Sequence, residues 1–191
     1  ILDREIDIND AVIPEVGAYR VSTNSIGDPN DIEKLANLLV KAKKPAMLVG
    51  SQVYMSRGHQ AAIDLARDLK IPLYMNGASR GILSPDDPIH FNRTRRMAFD
   101  NADVIIIAGT PFDFRMGYGK RISKESTLVQ IDQDYRTVGK NRDISLGMAG
   151  DPGSILKAVH DATSGSKSNG ANGREGWLKE LRDEEINRTE K

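Results

Sequence analysis

The feature that most constrains this chain is the run Val104-Ile105-Ile106-Ile107-Ala108, five apolar residues with no polar interruption, closed by Gly109 and Thr110-Pro111. A strand with no polar face has no side to give to water, so the run predicts a strand buried on both faces of a parallel sheet. Pro111 ends it, and Gly109, Gly117 and Gly119 mark a turn where backbone comes close to a neighbour or a ligand. In open α/β sheets ligands bind beyond the carboxyl ends of the strands, which places Thr110, Asp113 and Arg115 on the ligand-facing edge. The alternative is that Asp113 and Arg115 form a local surface ion pair.

Several shorter patterns agree with that centre. Asp28-Pro29-Asn30-Asp31 supplies a helix cap, and Ile32, Leu35, Ala36, Leu38, Leu39 and Ala42 form an apolar helical stripe ending in Lys41, Lys43 and Lys44. Ala46-Met47-Leu48-Val49-Gly50 reads as a second strand. A helix carrying Ala61, Ala62, Ile63, Leu65, Ala66 and Leu69 follows, then a strand over Ile71 to Met75. Strand, helix, strand is a βαβ unit. The stretch from Gly50 to Gly58 lacks the close glycine triplet of a dinucleotide fingerprint, yet Gly50, Ser51 and the Asn76-Gly77 loop lie at strand ends where a ligand could be met.

Thr127-Leu128-Val129-Gln130-Ile131-Asp132 is the next strand, and its terminal acid sits where a ribose carboxylate would sit; Asp132 could equally cap the turn through Asp134. Arg93, Arg95 and Arg96 cluster on an expected helix, where a solvated basic face is preferred over phosphate binding. Leu146 to Gly150 reads as a short last strand, capped into a helix by Asp151-Pro152-Gly153-Ser154. The predicted fold class is α/β, a doubly wound, mostly parallel sheet of five or six strands with helices on both faces. The expected organisation is an arm or linker over residues 1–27, a central domain over 28–163, a flexible linker over 164–173 and an amphipathic helix over 174–191 bearing Trp177, Leu178, Leu181 and Ile186.

Composition narrows the function classes. Twenty-seven basic residues balance 27 acidic ones, so no electrostatic footprint points to nucleic acid or an anionic membrane. Cysteine is absent, which excludes a thiolate nucleophile and a thiolate metal site and permits a cytoplasmic location. Three histidines in separate segments make a zinc cluster unexpected, and no run suggests a membrane span. The alternating start at Ile1 reads as the cut end of something longer.

The central run with its flanks, Asn101 to Gly119, resembles the middle domain of thiamine-diphosphate-dependent enzymes, with the nearest likeness to acetolactate synthase and the 2-hydroxyacyl-CoA lyases. Ser79-Arg80-Gly81-Ile82-Leu83-Ser84-Pro85-Asp86-Asp87-Pro88-Ile89-His90-Phe91 is similar to that family's Arg-Gly-x-Leu-Pro-x-x-His-Pro loop, with Ser84 and Asp87 departing from it. Gln130-Ile131-Asp132, Val138-Gly139-Lys140-Asn141 and Gly150-Asp151 resemble the strand with the acidic nucleotide contact and the exit from the domain.

The resemblance, over residues 28–162, implies a transferase or lyase parent that holds thiamine diphosphate and magnesium between an amino-terminal and a carboxyl-terminal domain, as a dimer or tetramer. Catalytic and metal-binding residues are then expected in those other domains and none here; Pro152 stands where the family's metal motif Gly-Asp-Gly has its second glycine. Family members bind FAD, ADP, CoA or nothing in the middle domain. The FAD-binding pattern is replaced here by Phe91-Asn92-Arg93-Thr94-Arg95-Arg96 and Thr110-Pro111-Phe112-Asp113-Phe114-Arg115. The expected cofactor-contacting set is Gly50, Ser51, Gly77, Thr110, Asp113, Arg115 and Asp132. The rival expectation is a free-standing NAD- or FAD-binding regulatory or electron-transfer module.

Overall fold

The structure, a computed structural model, describes Glu5, residues 7–15, Gly17, residues 25–164 and residues 173–189. Most of the expected linker over 164–173, and part of the expected arm over 1–27, lie outside the described residues. Five strands, β1 (Pro45–Val49), β2 (Leu73–Met75), β3 (Val104–Ala108), β4 (Thr127–Asp132) and β5 (Leu146–Ala149), form one sheet in the order β2-β1-β3-β4-β5. Every pairing is parallel, and β3 lies in the middle as its sequence demands. All five of its residues are buried.

Because side chains alternate across a strand, the sheet sorts its residues into two cores. Met47, Val49, Ile106, Val129 and Ile131 point to one face. There α1 (Pro29–Lys41), α3 (His59–Asp68) and α5 (Pro152–Ser164) lay down Leu35, Leu39, Ile63, Leu65, Ile155 and Val159. Asp28 caps α1 by accepting the Asn30 N–H at 2.8 Å, and Pro29 opens the helix where its missing N–H costs nothing.

The opposite core holds Ala46, Leu48, Ile105, Ile107 and Leu128. Chain order supplies it with little helix. The β2–β3 connection brings α4 (Arg95–Asn101), while the β3–β4 connection carries a 3₁₀ turn (Phe114–Gly119) and the β4–β5 connection no helix. Under that last connection the buried Gln130 amide donates to Thr137 O and accepts the Gly139 N–H, so a side chain does the work a crossover helix does elsewhere. The Lys120–Ser126 stretch, charged as it is, buries Ile122 and Ser126 against this core, and Ser126 Oγ donates to Ala102 O at 2.6 Å.

The remaining cover comes from α6 (Glu175–Asn187), which buries Trp177 and Leu181 on this face. Leu178 is half-buried against it, whereas Ile186, expected on the apolar side, is exposed. Two charges fasten the helix at its ends. The buried Arg174 guanidinium donates to Leu39 O, Ala42 O and Leu69 O, the free carbonyls where α1 and α3 end. A cation at two helix carboxyl termini meets the negative ends of both dipoles, a role the sequence suggested for Lys41, Lys43 and Lys44. The backbone N–H groups of Lys43 and Lys44 instead donate to the Asp103 carboxylate. At the other end Glu185 accepts the N–H groups of Asn92, Arg93 and Thr94 and the Thr94 hydroxyl, closing the amino-terminal side of α4. Between them Trp177 Nε1–H donates to Pro45 O at 3.0 Å, and Arg182 stacks on Phe91 at 4.1 Å.

Replacing Arg174 by Met leaves buried carbonyls of two helix ends without donors and is expected to cost about 2–4 kcal/mol. Trp177 is the chain's one tryptophan, so a red-shifted emission in Arg174→Met reports release of α6. Burial opposes ionisation of Glu185, but the Arg93 N–H, the Thr94 hydroxyl and the Asn92 and Thr94 N–H groups outweigh it and hold the carboxyl below its ordinary 4.5. A folded value below the unfolded one adds stability that is complete above 4.5 and disappears as pH falls through the lowered folded value. Urea melts of the parent chain and Glu185→Gln should therefore differ at neutral pH and converge in acid.

Candidate functional site

The carboxyl edge of the sheet is built by the segments leaving β1, β2, β3 and β4. Gly109 ends β3 at φ +68°, a left-handed conformation, and a Cβ there would lie 2.8 Å from the Val53 nitrogen. Only glycine satisfies both conditions. The Gly109 carbonyl accepts the Gln52 N–H at 3.2 Å, which seats the short helix α2 (Ser51–Met55) against the end of β3.

Four expected residues meet here in two interlocked pairs. A Cβ on Gly50 would lie 2.4 Å from Thr110 Oγ1, so the β1 and β3 exits touch through that missing methyl. A Cβ on Gly77 would lie 2.2 Å from Ser51 Oγ, and Ser51 Oγ accepts the Ala78 N–H at 3.0 Å, tying the β1 and β2 exits. Ser79, which sequence reasoning did not single out as a site residue, donates its hydroxyl to Gly50 O at 2.7 Å.

Asp132 joins the same edge from β4 through a residue the sequence reading did not select. Gln52 donates to Asp132 Oδ1 at 2.9 Å and accepts the Gln133 N–H at 2.9 Å, bridging α2 to the end of β4. Oδ1 also accepts the Asp134 N–H at 2.9 Å, the turn-capping alternative weighed from the sequence. Oδ2 is buried and has no partner among the described residues. A carboxylate oxygen in that state is short of a donor, and a hydroxyl is the kind of group that satisfies it.

Asp113 and Arg115 do not join this cluster through hydrogen bonds; they engage each other. The Arg115 N–H, Nε and guanidinium donate to one carboxylate, the shortest at 2.6 Å, and the Arg115 side chain is largely exposed. The Arg115 hydrogen bond and charge hold the Asp113 carboxyl below the usual carboxylate range. Of the basic trio, Arg93 and Arg96 are exposed while Arg95 is half-buried. Asp151, in the string nearest to a metal motif, accepts the Ser154 N–H at 2.7 Å and so caps α5. Among the described residues no three His, Asp or Glu side chains come together in a metal-binding group, and no helix is long and apolar enough to cross a membrane.

Comparison with known proteins places this geometry. The family profile described as "Thiamine pyrophosphate enzyme, central domain" matches residues 32–159. The chain is 32% identical over 142 residues to 2-hydroxyacyl-CoA lyase 2 of Bos taurus, covering 72% of this chain and 22% of that protein. It is 32% identical over 150 residues to the acetolactate synthase large subunit IlvG of Mycobacterium tuberculosis, covering 78% of this chain and 26% of that one. Among solved structures, benzoylformate decarboxylase from Polynucleobacter necessarius superposes with a TM-score of 0.62 at 22% identity, over 80% of this chain and 30% of that one. The chain thus spans about a quarter of the length of the curated relatives it matches.

Asp132→Ala strips the acceptor from both Gln52 and the Asp134 N–H and is expected to cost about 2 kcal/mol in chemical denaturation. Asp132→Asn keeps a carbonyl acceptor for both donors and is expected to cost less.

Proposed function

The chain belongs to the thiamine pyrophosphate enzyme central-domain family, and from that membership we propose that it is the non-catalytic middle piece of a larger carboligase or lyase of the acetolactate synthase and 2-hydroxyacyl-CoA lyase kind. The observation that carries the reading is one of extent. Alignments that cover roughly three-quarters of this chain occupy about a quarter of each relative, which leaves ample length for the domains that hold thiamine diphosphate and magnesium. Thiamine diphosphate, when bound, would let a carbonyl carbon carry the electron pair of the carbon–carbon bond made or broken at it. Asp151, in the string nearest to a metal motif, serves as a helix cap.

In the parent this domain sets the separation of its two neighbours and contributes contacts between subunits of a dimer or tetramer in the cytoplasm. A rigid edge suits that task, because a spacer whose exits flexed would not fix what it separates. The family match supports this reading over a free-standing nucleotide module, which no observation favours.

A second role rests on Asp132. Its unpartnered Oδ2 supports an adenine nucleotide bound at the β1, β3 and β4 exits, with a ribose hydroxyl donating to that oxygen. ADP fits this better than FAD, since the flavin-family strings are replaced at Phe91–Arg96 and Thr110–Arg115.

The purified chain, given pyruvate, thiamine diphosphate and magnesium, is expected to form no acetolactate; measurable turnover would overturn the non-catalytic reading. Calorimetry with ADP, FAD, CoA and NAD tests the second role. Binding of ADP that Asp132→Ala abolishes supports it, whereas tight binding of NAD would favour the free-standing module.

A further inference from the structure

One edge of the sheet is closed and the other is open. Alongside β2 the chain returns at His90 in a parallel bridge to Leu73, and Arg182 donates to Pro88 O and His90 O there. Along the outer side of β5 no described residue does the same. The Ser145 N–H donates to Leu128 O at 2.8 Å, and in a parallel ladder alternate residues face one neighbour, so Leu146 and Met148 turn their N–H and C=O groups outward. The strand Leu146-Gly147-Met148-Ala149 carries neither a charge nor a proline, two of the devices that blunt a free edge.

Helix α1 borders this open edge and runs opposite to β5. A Cβ on Gly27, just ahead of the helix cap, would lie 3.7 Å from Ala149 O at the far end of the strand. Lys34, Asn37, Leu38 and Lys41 instead share a cavity of about 340 Å³ with Ser145 and Leu146 at its start. Glu33, Asn37 and Lys41 stand four positions apart, which puts them on one line along the helix, and all three are exposed. Lys34 is paired with Asp31 at 2.8 Å, whereas Glu33 and Lys41 have no ion-pair partner among the described residues. A twofold axis normal to the sheet at Leu146 therefore passes near Asn37 and sets a second α1 antiparallel to the first. About that centre, Glu33 of each copy faces Lys41 of the other.

We propose that the open edge of β5 and the outer face of α1 are the contact between two copies of this chain, related by that twofold axis. The second β5 continues the sheet as an antiparallel neighbour, and Leu38 and Leu146 of each copy close the cavity of the other. Such a contact is self-complementary in charge and closes on itself, so it stops at two copies. It is also small, which sets the association in roughly the micromolar range. The proposal names the face for the contact between subunits proposed above, and rests on that reading for its setting in a larger parent. The two fail separately: acetolactate formation would overturn the non-catalytic reading and leave the pairing untouched, whereas a chain that stays single overturns only the pairing.

The test is sedimentation velocity of the full chain from about 5 to about 300 µM, with amide hydrogen exchange at both ends of that range. The mass is expected to rise from one chain to two and no further, and the Leu146 and Met148 N–H groups to exchange more slowly at the higher concentration. Lys41→Glu and Glu33→Lys should each weaken pairing about tenfold or more, because each sets like charges against one another on both sides of the axis. Mixing the two variants should restore it, since every acid then faces a base. Both positions are exposed, and circular dichroism should show both variants folded. A chain that stays single at the highest concentration, a mass that grows past two, edge amides that exchange alike at both concentrations, or variants that pair as well alone as mixed would each overturn the assignment.

Discussion

A strand that is apolar on both sides must be covered twice, and the rest of the fold follows from how β3 obtains its two covers. One side is served by the chain in passing: α1, α3 and α5 all return to the same face and share one core with Val104, Ile106 and Ala108. The other side cannot be served that way. After β3 the chain moves directly across β4 and β5 with only a 3₁₀ turn between them, leaving α4 to cover Ile105 and Ile107. Helix α6 supplies the missing cover from beyond residue 159, where the family match stops. A buried Trp177 and Leu181 contribute roughly 2–3 kcal/mol apiece in apolar area removed from water. That is a large share of the stability of a domain this size.

Hydrophobic burial alone would let α6 slide along the sheet; its charges fix the register. Arg174 joins the ends of α1 and α3, which belong to the first face, while Glu185 closes the start of α4, which belongs to the second. The two anchors are eleven positions apart in sequence, so the helix between them is held at both ends. Each anchor also satisfies backbone groups that a helix end leaves open, so one side chain fastens an element and completes another. Breaking the Arg174 anchor leaves buried carbonyls unpaired, which costs more than the hydrogen bond itself contributes.

Much of the fold was legible because its signals are local. The five-residue run of β3, the periodic stripe of α1 and the cap at Asp28 each declare themselves within a few positions, and each appears where expected. Arg174 was illegible for the opposite reason: its acceptors Leu39, Ala42 and Leu69 lie 105 to 135 residues away, and in sequence it is one charge at the edge of a polar tract. Glu185 is hidden likewise among Asp183, Glu184 and the arginines around it. At the sheet edge, parallel strands ending together made the meeting of Gly50, Ser51, Gly77 and Thr110 foreseeable. The sequence did not reveal that they meet by filling one another's space, because a missing Cβ opposite a hydroxyl is a fact of distance and not of composition. Gln52 was passed over since a neutral amide carries no charge signal, although it is the link that brings Asp132 to the others.

The contrast between the two ends of the candidate chemistry follows from the same accounting of partners. At Asp113 the acid and base stand two residues apart, pair at once, and leave little for a ligand to gain. Arg95, half-buried on the first turn of α4, forms no ion pair among the described residues. Salt bridges of exposed pairs add little stability, so the pairs at Arg96 and Arg115 hold little together. Glu185 is engaged in its turn by the backbone ahead of α4 while anchoring α6. Positive charge that remains uncompensated in a half-buried place lowers the stability of the fold that carries it.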